Sequence, residues 1–207
     1  MSPRPYSMEK REAGANETRL RILEAARRAL AQERDEALSM EAIARRAGVS
    51  RLTIYYQFNS RPGLLEALYD YVATRGGMQR IAEIFREPKP SAALDKLVDI
   101  FVAFWASDRV VIRRLRAMAA LDPEIRRGID ARDARGPHIA REILKRLAAA
   151  EKNIYGEEQL NASANVIAML TGFANYDALA SAGYSGKEIS AIIARLVHFA
   201  ATWPARH

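Results

Sequence analysis

Residues 50 to 58 read SRLTIYYQF, which places the hydroxyls of Ser50 and Thr53, the guanidinium of Arg51, the phenols of Tyr55 and Tyr56 and the amide of Gln57 on one short segment. These groups donate and accept hydrogen bonds and carry positive charge, so their chemistry is recognition. Bond-making chemistry has little support elsewhere. The chain has no cysteine, which excludes disulfides, thiolate metal sites and cysteine nucleophiles. Its histidines are His138, His198 and His207, none with a second ligand at helical metal-binding spacing. Gly183-Tyr184-Ser185-Gly186-Lys187 matches the spacing of neither a phosphate loop nor a nucleophile elbow and lacks the strand both need. Asn161-Ala162-Ser163 has the letters of a glycosylation sequon but lies in a helical segment of a chain with no apolar leader. No metal, cofactor or catalytic residue is expected. A formal net charge of +7 favours a polyanionic partner, and residues 1 to 61 hold 12 basic side chains against 8 acidic ones.

The elements that position these groups are helical throughout. Apolar residues recur at helical spacing and no segment alternates with period two between hairpin turns, so the chain is all-α. A polar arm, 1–17, precedes a first helix that starts near Asn16 to Thr18 and carries Leu20, Leu23, Ala26 and Leu30 on one face. Ser39 caps a short second helix with Met40, Ile43 and Ala44. Gly48 supplies a left-handed turn, Val49 points back as a plug, and Ser50 caps a third helix through Ile54, Tyr55 and Phe58. Ser60 and Pro62 open a fourth helix through Leu64, Leu65, Leu68 and Tyr71. Helices of two turns are marginal alone, so the second and third need their neighbours to hold them. Gly76-Gly77 and Pro88-Lys89-Pro90 end this block, and the domains read as 18–75 and 76–207.

Residues 43 to 68, IARRAGVSRLTIYYQFNSRPGLLEAL, resemble the DNA-binding signature of the TetR family of transcriptional regulators. The resemblance is specific over about residues 18 to 70 and architectural beyond residue 90. It implies an N-terminal three-helix helix-turn-helix domain and a larger C-terminal helical domain for ligand binding and dimerisation, about nine helices in all. It also implies which residues meet double-stranded DNA. Ser39 would touch a phosphate at the start of the second helix. Ser50, Arg51, Leu52 and Thr53 would open the recognition helix in the major groove, Tyr55 and Tyr56 would supply the aromatic pair beside the backbone, and Gln57 follows them. Arg61 stands where the family usually has lysine and keeps the attraction for phosphate. Leu52 replaces a residue that is often small; it cannot hydrogen-bond a base but can pack on a thymine methyl. Arg51 is the main candidate for base readout, as a fork on guanine, with a phosphate contact as the alternative. Arg4, Lys10 and Arg11 are candidates for a minor-groove contact by the arm.

In the C-terminal domain the expected helices are 91–106, 108–119, one from Asp122-Pro123-Glu124 to about Ala150 broken at Gly136-Pro137, 157–180, and 186–203 opened by a Ser185/Glu188 capping box. Segment 157–180 is apolar or small nearly all round, as in a helix buried on more than one side. Ala164, Ile167, Ala168 and Gly172, with Ile189, Ile193 and Leu196 of the last helix, are the expected dimer interface. Phe101, Phe104, Trp105, Met118, His138, Met169, Phe173 and Tyr176 form the candidate lining for a small apolar or aromatic effector. The run Arg109, Arg113, Arg114, Arg116, Arg126, Arg127, Arg132 and Arg135, interleaved with acids, reads as a salt-bridged solvent face; one inward arginine on an anionic effector is the sharper reading.

The resemblance implies a cytoplasmic homodimer that places two recognition helices in successive major grooves about 34–36 Å apart on a palindromic operator, repressing until an effector releases it. No membrane segment is expected, because the richest apolar run, Ile100 to Ala106, is too short to span a bilayer. A helical enzyme with its active site in the C-terminal cavity, or a protein-interaction module, would leave the 39–61 signature unexplained.

Overall fold

The computed structural model describes residues 5–32, 39–151 and 156–202, with side chains from residue 12 onward. The described residues are helical, without a strand: α1 (Pro5–Ala31), α2 (Met40–Ala47), α3 (Arg51–Phe58), α4 (Arg61–Arg75), a 3-10 turn at Met78–Arg80, α5 (Ile81–Arg86), α6 (Pro90–Ser107), α7 (Arg109–Leu121), α8 (Pro123–Asp133), α9 (Arg135–Glu151), α10 (Glu157–Leu170), α11 (Phe173–Ser181) and α12 (Gly186–Ala201). None of these helices is long and apolar enough to cross a membrane.

The chain divides into two compact units. The first comprises Met1–Val72 with Val110–Ile125, and the second Ala73–Arg109 with Arg126–His207. In the first, α1 buries Ile22, Leu23, Ala26 and Leu30. Its helix begins at Pro5 rather than near Asn16, so residues 5 to 17 extend α1; proline suits a first helical position, and Met8 to Ala15 contains one glycine among good helix formers. Lys10 and Arg11 therefore fall on α1, and Arg4 lies outside the described residues. Leu20, expected on the buried face, is 46% exposed. Segment 110–125, placed by the sequence reading in the C-terminal domain, joins the first unit. The guanidinium of Arg114 donates to the carbonyls of Leu30 (3.0 Å) and Gln32 (2.5 Å), satisfying acceptors that the end of α1 leaves open.

In the second unit α6, α9, α10 and α12 form a closed ring of packed helices, each touching two others. Leu94, Leu97 and Val98 of α6, Ala140, Ile143 and Leu144 of α9, Ala164 and Ile167 of α10, and Ile189, Ile193 and Val197 of α12 are all buried in it. The expected helix 157–180 is broken: α10 ends at Leu170, and Gly172, with extended backbone, caps α11. Two bonds hold the break. Thr171 Oγ1 donates back to the Ile167 carbonyl at 2.9 Å, and Trp105 Nε1 donates to the Thr171 carbonyl at 2.8 Å. The expected break at Gly136-Pro137 falls just before them, between α8 and α9, leaving Gly136 on α9 against α10, where an added Cβ would sit 3.3 Å from that of Ala168. The Ser185/Glu188 capping box of α12 forms with both of its hydrogen bonds.

Candidate nucleic-acid interface

The two short helices of the first unit owe their shape to caps. Ser39 Oγ accepts from the Ala42 amide at 3.1 Å, and its hydroxyl remains at the surface with a proton to donate. At the other end of α2, Gly48 adopts φ 65 and ψ 38, and the Val49 amide returns to the Ala44 carbonyl at 3.0 Å. This left-handed stop turns the chain into α3. Ser50 Oγ accepts from the Thr53 amide at 3.0 Å and lies 2.8 Å from Thr53 Oγ1. Asn59 then takes φ 62 after Phe58, a conformation asparagine tolerates better than most residues, and its amide closes on the Tyr55 carbonyl at 2.8 Å. Ser60 Oγ accepts from the Gly63 amide at 3.0 Å as α4 starts.

Ile54 and Phe58 anchor the inner side of α3, at 0% and 5% exposure. The outer side carries Arg51, Leu52 and Tyr56, with Leu52 77% and Tyr56 86% exposed. A leucine and a tyrosine held this open to solvent add little buried apolar area to the unit. Thr53, Tyr55 and Gln57 are half-buried on the flanks, while Ser39, Ser50 and Arg61 are exposed at the starts of α2, α3 and α4. All nine residues expected to meet DNA thus lie on or beside the helix-turn-helix, at its helix starts or along α3.

Arg51 is not a loose side chain. Its Nη1 donates to Glu41 of α2, its Nη2 donates to the Tyr55 hydroxyl at 3.1 Å, and its guanidinium carbon is 5.4 Å from the Tyr55 ring centre. The hydrogen bond to Tyr55 and the negative charge of Glu41 raise its already high pKa, so it stays cationic at any working pH.

Three positioning residues escape a reading by motif. Arg19 of α1 lies 4.4 Å over the Phe58 ring and donates from Nη1 to the Gln57 carbonyl at 2.9 Å, clamping the end of α3. Gly63 sits where a Cβ would meet the Phe58 carbonyl oxygen at 2.2 Å, so α3 and α4 approach more closely than any other residue allows. Glu41 is the third. Asn59 alone had a sequence signal, its tolerance of positive φ next to a helix end.

The other expected sites fare differently. Phe104 and Trp105 are buried with ring centres 4.3 Å apart, Phe101 lies 5.9 Å and Phe173 5.4 Å from Trp105, and Tyr176 is also buried. Burial pushes the Tyr176 phenol upward; the charge of Arg109 opposes this and that of Asp177 adds to it. Met118 belongs to the first unit, whereas the cluster belongs to the second. His138 and Met169 are exposed, because α9 and α10 turn other faces to the core. Of the expected dimer residues, Ala164, Ile167, Ile189 and Ile193 are at most 2% exposed and are spent inside the ring of helices, whereas Leu196 is 46% exposed. Ala168 is half-buried beside Gly136, and Gly172 lies in the break, so the four-residue small spacing does not form one continuous face. The arginine run is not uniformly solvated. Arg109 bridges to Asp177 at 2.7 Å and to the Ser181 hydroxyl at 2.6 Å, Arg114 holds α1, and Arg132 donates to the Gly128 carbonyl, while Arg113, Arg126, Arg127 and Arg135 are exposed.

Residues 22–68 match the family model described as bacterial regulatory proteins, tetR family. The HTH-type transcriptional regulator TtgR of Pseudomonas putida is 36% identical over 85 residues, a match that covers 41% of this chain and 40% of TtgR's length. The relatives matched are named as regulators and not as enzymes. Among solved structures, a TetR-family regulator from Rhodococcus sp. superposes with a TM-score of 0.72 at 20% identity, covering 90% of this chain and all of that one. A regulator from Saccharomonospora viridis in complex with choline (TM-score 0.69, 18% identity, 88% and 96% covered) and FadR from Bacillus subtilis in complex with stearoyl-CoA (0.69, 17%, 88% and 97%) share the same fold. The tetR family's pattern thus runs through the helix-turn-helix at residues 22–68, the chain aligns with about two-fifths of the length of the curated regulators it matches, and its fold over nine-tenths of its length is that of solved TetR-family regulators.

Proposed function

We propose that the protein is a sequence-specific, DNA-binding transcriptional regulator that acts as a homodimer and represses until a small apolar or aromatic molecule releases it. The observation that carries this reading is the outer face of α3, where Arg51, Leu52 and Tyr56 stand open on a helix fixed at both ends by Ser50, Asn59 and Arg19. Rigid presentation of donors and one apolar side chain, that of Leu52, suits base edges and a thymine methyl in a major groove, and the exposed Ser39 and Arg61 suit the flanking phosphates.

Dimerisation is assigned to the outward faces of α10 and α12. Val166, Met169, Leu196 and Phe199 are 36%, 59%, 46% and 60% exposed there, a set of large apolar side chains that the ring of helices does not use. This replaces the buried residues in the expected interface and keeps Leu196. The effector is assigned to the aromatic cluster of Phe101, Phe104, Trp105, Phe173 and Tyr176, whose rings would part to admit it. Choline and stearoyl-CoA, bound by two proteins of this fold, differ too much in size and charge for the fold to fix the ligand class.

Selection of the purified protein against random duplex DNA tests the reading. Enrichment of an inverted repeat is expected, with half-sites about one helical turn apart. A pool with no enriched sequence, or no retention at low salt, overturns it.

A further inference from the structure

Glu41 is an acidic residue in an unfavourable place for a DNA-binding surface. It lies two residues after the Ser39 cap in the first turn of α2, the end of the helix that suits a phosphate, and its carboxylate repels one. Its side chain is 59% exposed and that of Arg51 56%, and an exposed ion pair of this kind adds little to folding. A carboxylate in the first turn favours the dipole of α2 wherever its side chain points, so neither that term nor the weak ion pair accounts for its being held against Arg51. The geometry around Arg51 does: the carboxylate of Glu41 takes one Nη, the Tyr55 hydroxyl takes the other, and the Tyr55 ring lies alongside. The remaining guanidinium donors are carried on a group whose position is fixed from α2 and from one turn along α3.

We propose that Glu41 is a positioning residue for base readout, holding Arg51 in register for a guanine edge and withholding it from the phosphates. The proposal rests on the DNA-binding reading above and names how that site discriminates. An unpaired arginine at a helix start has many phosphate oxygens to choose from, and they attract it at every sequence. Paired with a carboxylate, the group is neutral overall and that long-range attraction is cancelled. The short-range match of its free N–H donors to guanine O6 and N7 survives, because it depends on direction and not on net charge. Sequence preference rises as general affinity falls. The Tyr55 hydroxyl accepts from Arg51 within this cluster, while Tyr56, 86% exposed, stands clear of it.

The test uses the full-length protein with Glu41→Gln, Glu41→Asp, Arg51→Ala and the double variant Glu41→Gln/Arg51→Ala. Each is titrated against the selected duplex and a scrambled one over a salt series, after a thermal melt has shown it folded. Glu41→Gln is expected to bind scrambled DNA about tenfold more tightly, with a log–log salt slope steeper by about 0.9, one phosphate contact more. Its preference for the selected duplex should fall about tenfold. Glu41→Asp should restore most of that preference, and on the Arg51→Ala background Glu41→Gln should leave it unchanged. If Glu41→Gln strengthens both duplexes by one factor, and does so equally with and without Arg51, the carboxylate is only a repulsive charge and the proposal is overturned. A wild-type protein with no preference overturns the DNA-binding reading itself, and the wild-type titration alone tells that failure from the other.

Discussion

Glu24 shows how the first unit uses charge where burial is incomplete. Its carboxylate accepts from Arg27 at 2.8 and 2.9 Å, from Arg28 at 2.9 Å and from the Tyr71 hydroxyl at 3.1 Å, tying α1 to α4. Arg27 above all, then Arg28 and Tyr71, holds its pKa down to about 2 against a burial effect that raises it. A folded pKa below the unfolded one means stability that is present above the ordinary carboxylate range and lost as pH falls from about 4.5 to about 2. Glu24→Gln should flatten the melting temperature against pH in that window and cost about 1 kcal/mol at neutral pH, the shift being discounted for solvent screening. An unchanged pH profile would show that the cluster contributes nothing. At the same scale, if Arg61, exposed at the start of α4, contacts a phosphate as proposed, Arg61→Ala should weaken all duplexes alike and reduce the salt slope by about one contact. A loss confined to one sequence would instead place it in the groove.

At the scale of elements, the helix-turn-helix was legible because each of its boundaries has a residue that chemistry requires: Ser39 and Ser50 as caps, Gly48 at φ 65, Pro62 in the first turn of α4. The capping box of α12 was legible for the same reason. What the sequence hid was set by partners distant in the chain. The break between α10 and α11 depends on Trp105 reaching the Thr171 carbonyl, and nothing local in the 157–180 pattern announces it. The exposed residues of α3 and of the helix starts could be read from a motif, whereas Glu41, Arg19 and Gly63 act through neighbours ten or more residues away or through bare backbone contact. Gly63→Ala tests the last. A Cβ at 2.2 Å from the Phe58 carbonyl forces α3 away from α4, at a cost of about 1–3 kcal/mol. The melting temperature and the affinity for the selected duplex should fall together. A variant as stable as the parent would mean that the close approach relaxes freely.

For the molecule as a whole, the sequence shows apolar helices but does not say which apolar face turns inward. On α10 and α12 apolar or small residues fall on more than one face, so Ile167 and Ile193 look as available to a partner as Val166 and Phe199 do; only the ring of helices separates them. If Met169, Leu196 and Phe199 meet a second copy, Phe199→Glu buries a charge in that contact and should raise the dimer dissociation constant at least about tenfold in sedimentation velocity, with the monomer's helical content unchanged. A dimer that persists unaltered would move the interface elsewhere. Finally, the first unit is discontinuous, needing 110–125 and the guanidinium of Arg114 on the end of α1. A ribosome making this chain in order must translate the whole of α5 and α6 before that segment emerges, so the nascent protein cannot complete its first unit until much of the second has been synthesised. A fragment ending at Arg75 would carry every residue of the motif and still lack Val111, Ile112 and Leu115, which are buried in the complete chain.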